Sequence, residues 1–241
     1  MANRILWVTG WFFSPRVTEQ MPAPRVALIE MRKFAQVDVF HWPCIRGGPE
    51  KPPTFSGAVE ALREQLSENC HVVVAGGDVA VALAAMRDGP RVSSLVTTGF
   101  RPSPGTLRAL GMSALADATS ALYRVDRSQV FVRLLMLDAP DSVIQHWSER
   151  LDNDIDWPYA VEFRLDYEKT DLTRMQLGAT VPTLFLEPAI PVAGYADTKP
   201  LFERFVPNVQ STGVSWPSHL HEDACGREFA TAVVPFLEEH D

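Results

Sequence analysis

The chain has 241 residues, 46% of them hydrophobic and 22% charged, with a formal net charge of −8. That suits one globular domain with a sizeable core, and an acidic chain whose Lys and Arg never run beyond a pair excludes nucleic acid and anionic membrane as expected partners. Cys44, Cys70 and Cys225 are far apart and form no C-x-x-C pair, which excludes a disulfide framework. With no apolar stretch long enough to span a membrane and no basic n-region at the start, the expectation is a cytoplasmic protein with reduced thiols.

In chain order, Arg4–Thr9 is a short apolar run stopped by Gly10 and reads as a buried strand. Helical apolar spacing follows from Pro24 to Phe34. Val37–Phe40 predicts a second strand, ending in Trp42-Pro43 and the breaker-rich loop Arg46–Pro53. Val59, Leu62 and Leu66 mark a helix, and Val72–Ala75 a third strand. Gly76-Gly77-Asp78 then turns the chain sharply into an Ala-rich helix over Val79–Arg87. Val92–Thr98, Val181–Leu186 and, more weakly, Val209–Trp216 predict three more strands, and Phe229–Leu237 a terminal helix. Strands alternating with helices predict an α/β domain with a mainly parallel sheet of about six strands, flanked by helices on both faces. The alternation breaks between Phe100 and about Gly178, where helical pieces carry Tyr123, Tyr159 and Tyr167. This stretch reads as a helical cap. The expected organisation is a core of residues 1–100 and 179–241 with a cap insertion over 101–178.

Two polar signals stand out: Asp78 on the turn, and Ser218-His219-Leu220-His221-Glu222-Asp223 near the end. The order of elements around them resembles the α/β-hydrolase superfamily. Thr9-Gly10-Trp11 stands where that family has His-Gly and an oxyanion-hole residue. Trp42-Pro43 to Gly48 matches its Pro/Gly loop, Gly76-Gly77-Asp78-Val79-Ala80 its G-x-S-x-G elbow, and Ser218-His219 its histidine loop. The chain departs from the pattern by holding Asp78 in place of serine, as epoxide hydrolases and haloalkane dehalogenases do. It also has Glu187-Pro-Ala-Ile-Pro191 where the family's third acid follows the fifth strand. Val79, rather than Trp, follows Asp78, which removes support for the halide version.

The resemblance implies a cofactor-free and metal-free enzyme, hydrolytic by default, acting on a small apolar epoxide, ester or lactone through an Asp78–His219 dyad. Three chemistries stay open. Asp78 attacks carbon and His219 activates water on the resulting ester. Alternatively, the pair works as general acid and base, giving a lyase, isomerase or cyclase. In the third, Asp78 activates water while the backbone N–H groups of Trp11 and Val79 stabilise an oxyanion. Glu187 and the three cap tyrosines are open as further participants.

Each residue also has a plainer reading. Asp78 can be no more than the N-cap of the helix that follows, His219 a loop histidine, and Glu187 a solvated strand-end charge. His221 with Glu222 or Asp223 is a weak metal motif, having no further ligand at suitable spacing. A non-catalytic ligand-binding protein is the rival outside enzymes. A small-molecule substrate is the expected partner, and a homodimer stays open.

Overall fold

The computed structural model describes residues 4–11, 13–74, 78–123, 132–133, 139–175, 177, 180–188, 198–207, 209–214 and 222–241. Six strands form one sheet: β1 (Arg4–Val8), β2 (Gln36–Val39), β3 (His71–Val74), β4 (Ser94–Thr97), β5 (Thr183–Pro188) and β6 (Val209–Val214). Their order is β2-β1-β3-β4-β5-β6, and every pair is parallel. The expected mainly parallel sheet is therefore wholly parallel among the described residues.

Helices cover both faces, because strands buried on both sides must find apolar partners on each. Ile5, Trp7, Val73, Val96, Leu184 and Leu186 point to one face, against α2 (Pro22–Met31) and the long terminal α10 (Glu222–Glu239). Their sequence neighbours Leu6, Val8, Val72, Val74, Leu95 and Phe185 point to the other. There they meet α3 (Phe55–Gln65) and α4 (Val79–Arg87), whose residues Val79 to Met86 are all buried. A helix apolar all round can only be central, and its Ala-rich sequence lets its neighbours come close. A short α1 (Pro15–Gln20), started by the Ser14 side chain accepting from Val17 N–H and by proline in the first turn, also forms.

Between β4 and β5 the chain forms α5 (Pro104–Ala109), α6 (Ser113–Tyr123), α7 (Asp141–Asp154), α8 (Trp157–Lys169) and a 3-10 turn (Leu172–Arg174). This segment is stitched to the loops at the carboxyl ends of the strands. Ile155 makes an antiparallel bridge with Ile45, flanked by Arg46 N–H to Asp154 O at 2.8 Å and Asp156 N–H to Cys44 O at 2.8 Å. The Asp166 carboxylate accepts from Phe55 N–H at 2.7 Å, at the start of α3. There it meets the positive end of the helix dipole. The last helices are α9 (Thr198–Phe202) and α10. None of the helices is long and apolar enough to cross a membrane, among the described residues.

Candidate active site

The strand order reverses around β1, since β2 lies on one side of it and β3 on the other. In open parallel sheets, crevices for ligands lie beyond the carboxyl ends of the strands at such a point. Register brings three loops together there. Val8 pairs with Val74 and Val74 with Thr97; Trp11 lies three residues past the first of these, and Asp78 and Arg101 four residues past the other two.

The loop after β1 is a tight turn in which Phe13 N–H donates to Gly10 O at 2.8 Å. Trp42 indole N–H donates to Thr9 O at 2.7 Å, and the Cys44 thiol donates to Trp11 O at 2.8 Å. With its carbonyl held from behind, Trp11 turns its N–H toward the crevice, where it donates to Asp78 Oδ2 at 3.0 Å. The helix-cap reading of Asp78 is not what the structure shows: the residue precedes α4, yet its side chain makes no cap hydrogen bond. Its backbone (φ −88°, ψ 4°) lies in the bridge region rather than in the left-handed region. Whatever sharp bending the elbow needs is thus not stored at the acid, and Ala75, Gly76 and Gly77 lie outside the described residues.

Asp78 keeps some accessible surface but is enclosed enough to be desolvated. Desolvation pushes its carboxyl up to about 7, against the opposing Trp11 hydrogen bond and the through-space pull of Arg101. An acid balanced near neutrality can donate, accept or attack according to its surroundings. The same desolvation, with the negative charge of Asp78 second, pushes the buried Cys44 thiol far up and keeps it protonated. Cys44 and Cys70 are both buried free thiols. Val79, the other expected oxyanion donor, opens α4 and is fully buried. His219, Ser218 and His221 lie outside the described residues.

The remaining expected participants are engaged by other partners. Glu187, on β5, takes Lys199 Nζ at 3.1 Å. Hydrogen bonds from Ser211 and Lys199 hold its carboxyl below the ordinary range, as for a solvated strand-end charge. Tyr159 and Tyr167 on α8 donate to backbone carbonyls, Tyr159 to Pro52 at 2.7 Å and Tyr167 to Arg101 at 3.1 Å. Each phenol has a single proton, so neither offers it to a substrate in this arrangement. The Tyr123 side chain is outside the described part. Among the described residues no cluster of His, Cys, Asp or Glu is arranged to hold a metal.

Two cations absent from the sequence-based site belong here. Arg101 follows Gly99, whose φ of 127° suits glycine and lets the chain turn after β4. Arg164 lies on the buried stripe of α8, with Ala160, Phe163 and Tyr167, and its guanidinium carbon is 5.9 Å from the centre of the Trp11 ring. The sequence carried no clear signal for it, since α8 exposes Val161 and Leu165 and buries Arg164.

Known structures agree with this architecture. MenH from S. aureus superposes with a TM-score of 0.72 at 17% identity, covering 99% of this chain and 94% of that one. A bromoperoxidase from Bacillus anthracis gives 0.72 at 14% identity, covering 99% and 92%. An epoxide hydrolase from Bacillus megaterium gives 0.65 at 14% identity, covering 99% and 94%. No protein-family model and no curated protein matches the sequence. With the strand order, these likenesses define the fold as that of the α/β-hydrolases.

Proposed function

We propose that the chain is a cofactor-free hydrolase of a small, largely apolar epoxide, ester or lactone, working through Asp78 and His219 beneath a cap formed by residues 101–178. The observation that carries this reading is the Trp11 N–H on Asp78 Oδ2. It fixes one carboxylate oxygen and leaves Oδ1 to attack an electrophilic carbon. As the new C–O bond forms, the carbon–oxygen bond to the leaving group breaks and its electron pair departs on that oxygen. Oδ2 is then the carbonyl oxygen of an alkyl-enzyme ester. When water, deprotonated by His219, adds to that carbonyl carbon, negative charge develops on Oδ2, where the Trp11 N–H already points. Collapse releases the alcohol and restores the carboxylate.

The test uses the full chain and a panel of epoxides, esters and lactones. His219→Ala is expected to accumulate added mass on the peptide carrying Asp78. Consumption of substrate by that variant with no adduct would end the covalent reading.

A second reading, acid–base catalysis of an elimination, isomerisation or cyclisation without an ester, is favoured by the carboxyl balanced near 7 and by the engaged tyrosine hydroxyls. The two differ in sign with pH. A nucleophilic Asp78 must be ionised, so kcat/KM rises as pH passes through about 7; an Asp78 that donates a proton gives the opposite limb.

A further inference from the structure

The backbone around Trp11 N–H is held at three carbonyls in a row. Thr9 O accepts the Trp42 indole N–H at 2.7 Å, Gly10 O accepts Phe13 N–H at 2.8 Å, and Trp11 O accepts the Cys44 thiol at 2.8 Å. The Gly10 carbonyl belongs to the same peptide unit as the N–H that Asp78 Oδ2 accepts at 3.0 Å, so that unit is engaged at both ends and each bond strengthens the other. Trp42 and Cys44 both stand on the loop after β2. Cys44 also reaches in a second direction. Its carbonyl accepts Asp156 N–H at 2.8 Å, beside the bridge between Ile45 and Ile155, at the junction of α7 and α8. Three hydrogen bonds joined through the backbone therefore lead from Asp156 through Cys44 and Trp11 to Asp78. Cys44 is 1% exposed, and its thiol stays protonated and able to donate. A thiol is a weak donor, so its effect is on where the Trp11 backbone sits rather than on stability.

We propose that Cys44 is a positioning residue for the acid, carrying the seating of the α7–α8 junction through Trp11 to the N–H that Asp78 accepts. This rests on the reading of Asp78 as the reacting group, and adds a residue that sets its reactivity without touching substrate. The plainer role for a buried cysteine is to fill space as a small apolar side chain. The two roles differ in what reaches the carboxyl. The charged group acting on Asp78 beside the Trp11 N–H is Arg101, from the loop after β4; those acting on Cys44 are Asp78 and Asp156.

The test follows the Asp78 carboxyl through a carbon NMR titration of the full chain without substrate, its signal assigned with Asp78→Asn. The Trp11 N–H favours the ionised carboxyl, so loss of its aim raises the midpoint. Cys44→Ala, which removes the donor, is expected to raise it by about one unit, part of what a hydrogen bond to a charged group contributes. Cys44→Val removes the donor with the space filled, and is expected to do the same if the alanine variant fails to fold. Cys44→Ser restores a hydroxyl donor and is expected to return the midpoint to the native value. Asp156→Pro removes the N–H on Cys44, at a residue whose φ of −83° suits proline and follows an extended Ile155. It is expected to raise the midpoint as Cys44→Ala does, whereas Asp156→Ala, which keeps the N–H, leaves it in place. With a substrate in hand, Cys44→Ala is expected to lower kcat about 10-fold with KM held, as for a misdirected oxyanion donor.

A midpoint that stays put in Cys44→Ala and Cys44→Val, or that moves equally in Cys44→Ser, overturns the proposal, because the thiol then only fills space. Asp156→Pro with the native midpoint also overturns it, since the junction then has no hold on the acid. The two readings fail separately. A Cys44-dependent midpoint with no Asp78-dependent turnover keeps the positioning of the acid and removes the hydrolase. Asp78-dependent turnover with a midpoint indifferent to Cys44 does the reverse.

Discussion

An ionisable side chain drawn out of water lies at or just beyond each end of β3, and only one of them looks like a site. At the amino end, His71 Nδ1 lies 2.9 Å from Ser94 Oγ, and its Nε2 lies 3.8 Å from Asp241 Oδ1. By residue type this is serine, histidine and aspartate in a row. Yet His71 and Ser94 are wholly buried, paired across the β3–β4 register, with Phe34 against the imidazole. Nothing can reach the hydroxyl, and no oxyanion donor is arranged beside it among the described residues. At the carboxyl end, Asp78 has one backbone N–H, the through-space pull of Arg101 and some open surface. Access and convergent donors, not the list of residue types, separate a place for chemistry from a polar contact that holds strands together.

The largest difference between the ends is expected in catalysis. Asp78→Asn should lower kcat/KM for any substrate the panel identifies by about 10³-fold or more, as loss of a nucleophile or its base does. Ser94→Ala should leave kcat unchanged in protein that remains folded. Steady-state kinetics on the two variants check this, and equal losses would make the amino end part of the machinery.

The pH dependence of stability should differ in sign. The Asp78 carboxyl is raised in the folded chain, so its contribution is full below the ordinary carboxylate range and is lost as pH rises through about 7. Asp78→Asn is therefore expected to stabilise the chain at pH 8.5 by roughly 2–4 kcal/mol relative to its effect at pH 4. His71 is shifted the other way. Burial lowers its basicity and the nearby His240 lowers it further, against the pull of Asp241. Its contribution is full above the ordinary histidine value and is lost as pH falls below it. Thermal unfolding of the native chain, Asp78→Asn and His71→Gln between pH 4 and 9 separates the two limbs. A shared direction would contradict the assignment. Ser94→Ala, which leaves a buried imidazole nitrogen without its hydroxyl partner, should cost about 1–3 kcal/mol at neutral pH.

The carboxyl end was also the part most open to sequence reading, for physical reasons. The run Val79–Arg87 became α4 with the predicted bounds, because alanine and branched apolar residues directly after Gly76-Gly77-Asp78 leave the chain little else to form. Five strands were legible as short apolar runs, and the sixth only weakly, because Gln210, Ser211, Thr212 and Gly213 separate the valines of β6. The Ser14-Pro15 helix start passed unnoticed because α1 is only six residues long. Arg164 was missed because α8 inverts the usual rule. It buries an arginine and exposes Val161 and Leu165, so its apolar pattern does not mark the inner face. Arg101 was missed because its place depends on β3 and β4 being neighbours, a long-range fact. The pairing of Trp11 N–H with Asp78 is of the same kind.

The smallest expected effect bears on how α8 meets α3 and the loop after β4. Tyr167 donates its hydroxyl to the carbonyl of Arg101, while its ring stacks on Phe55 with centroids 5.7 Å apart. Tyr167→Phe keeps the stack and removes one partly buried hydrogen bond, so it should cost about 1 kcal/mol in denaturant unfolding. Were this hydroxyl a proton donor to an opening epoxide, the same change would lower kcat by about 10²-fold or more. The bond to Arg101 predicts instead that kcat on epoxides holds, with any loss confined to KM as the Arg101 loop loosens. A fall in kcat with KM intact would return the tyrosine to the chemistry and take the loop-positioning role from it.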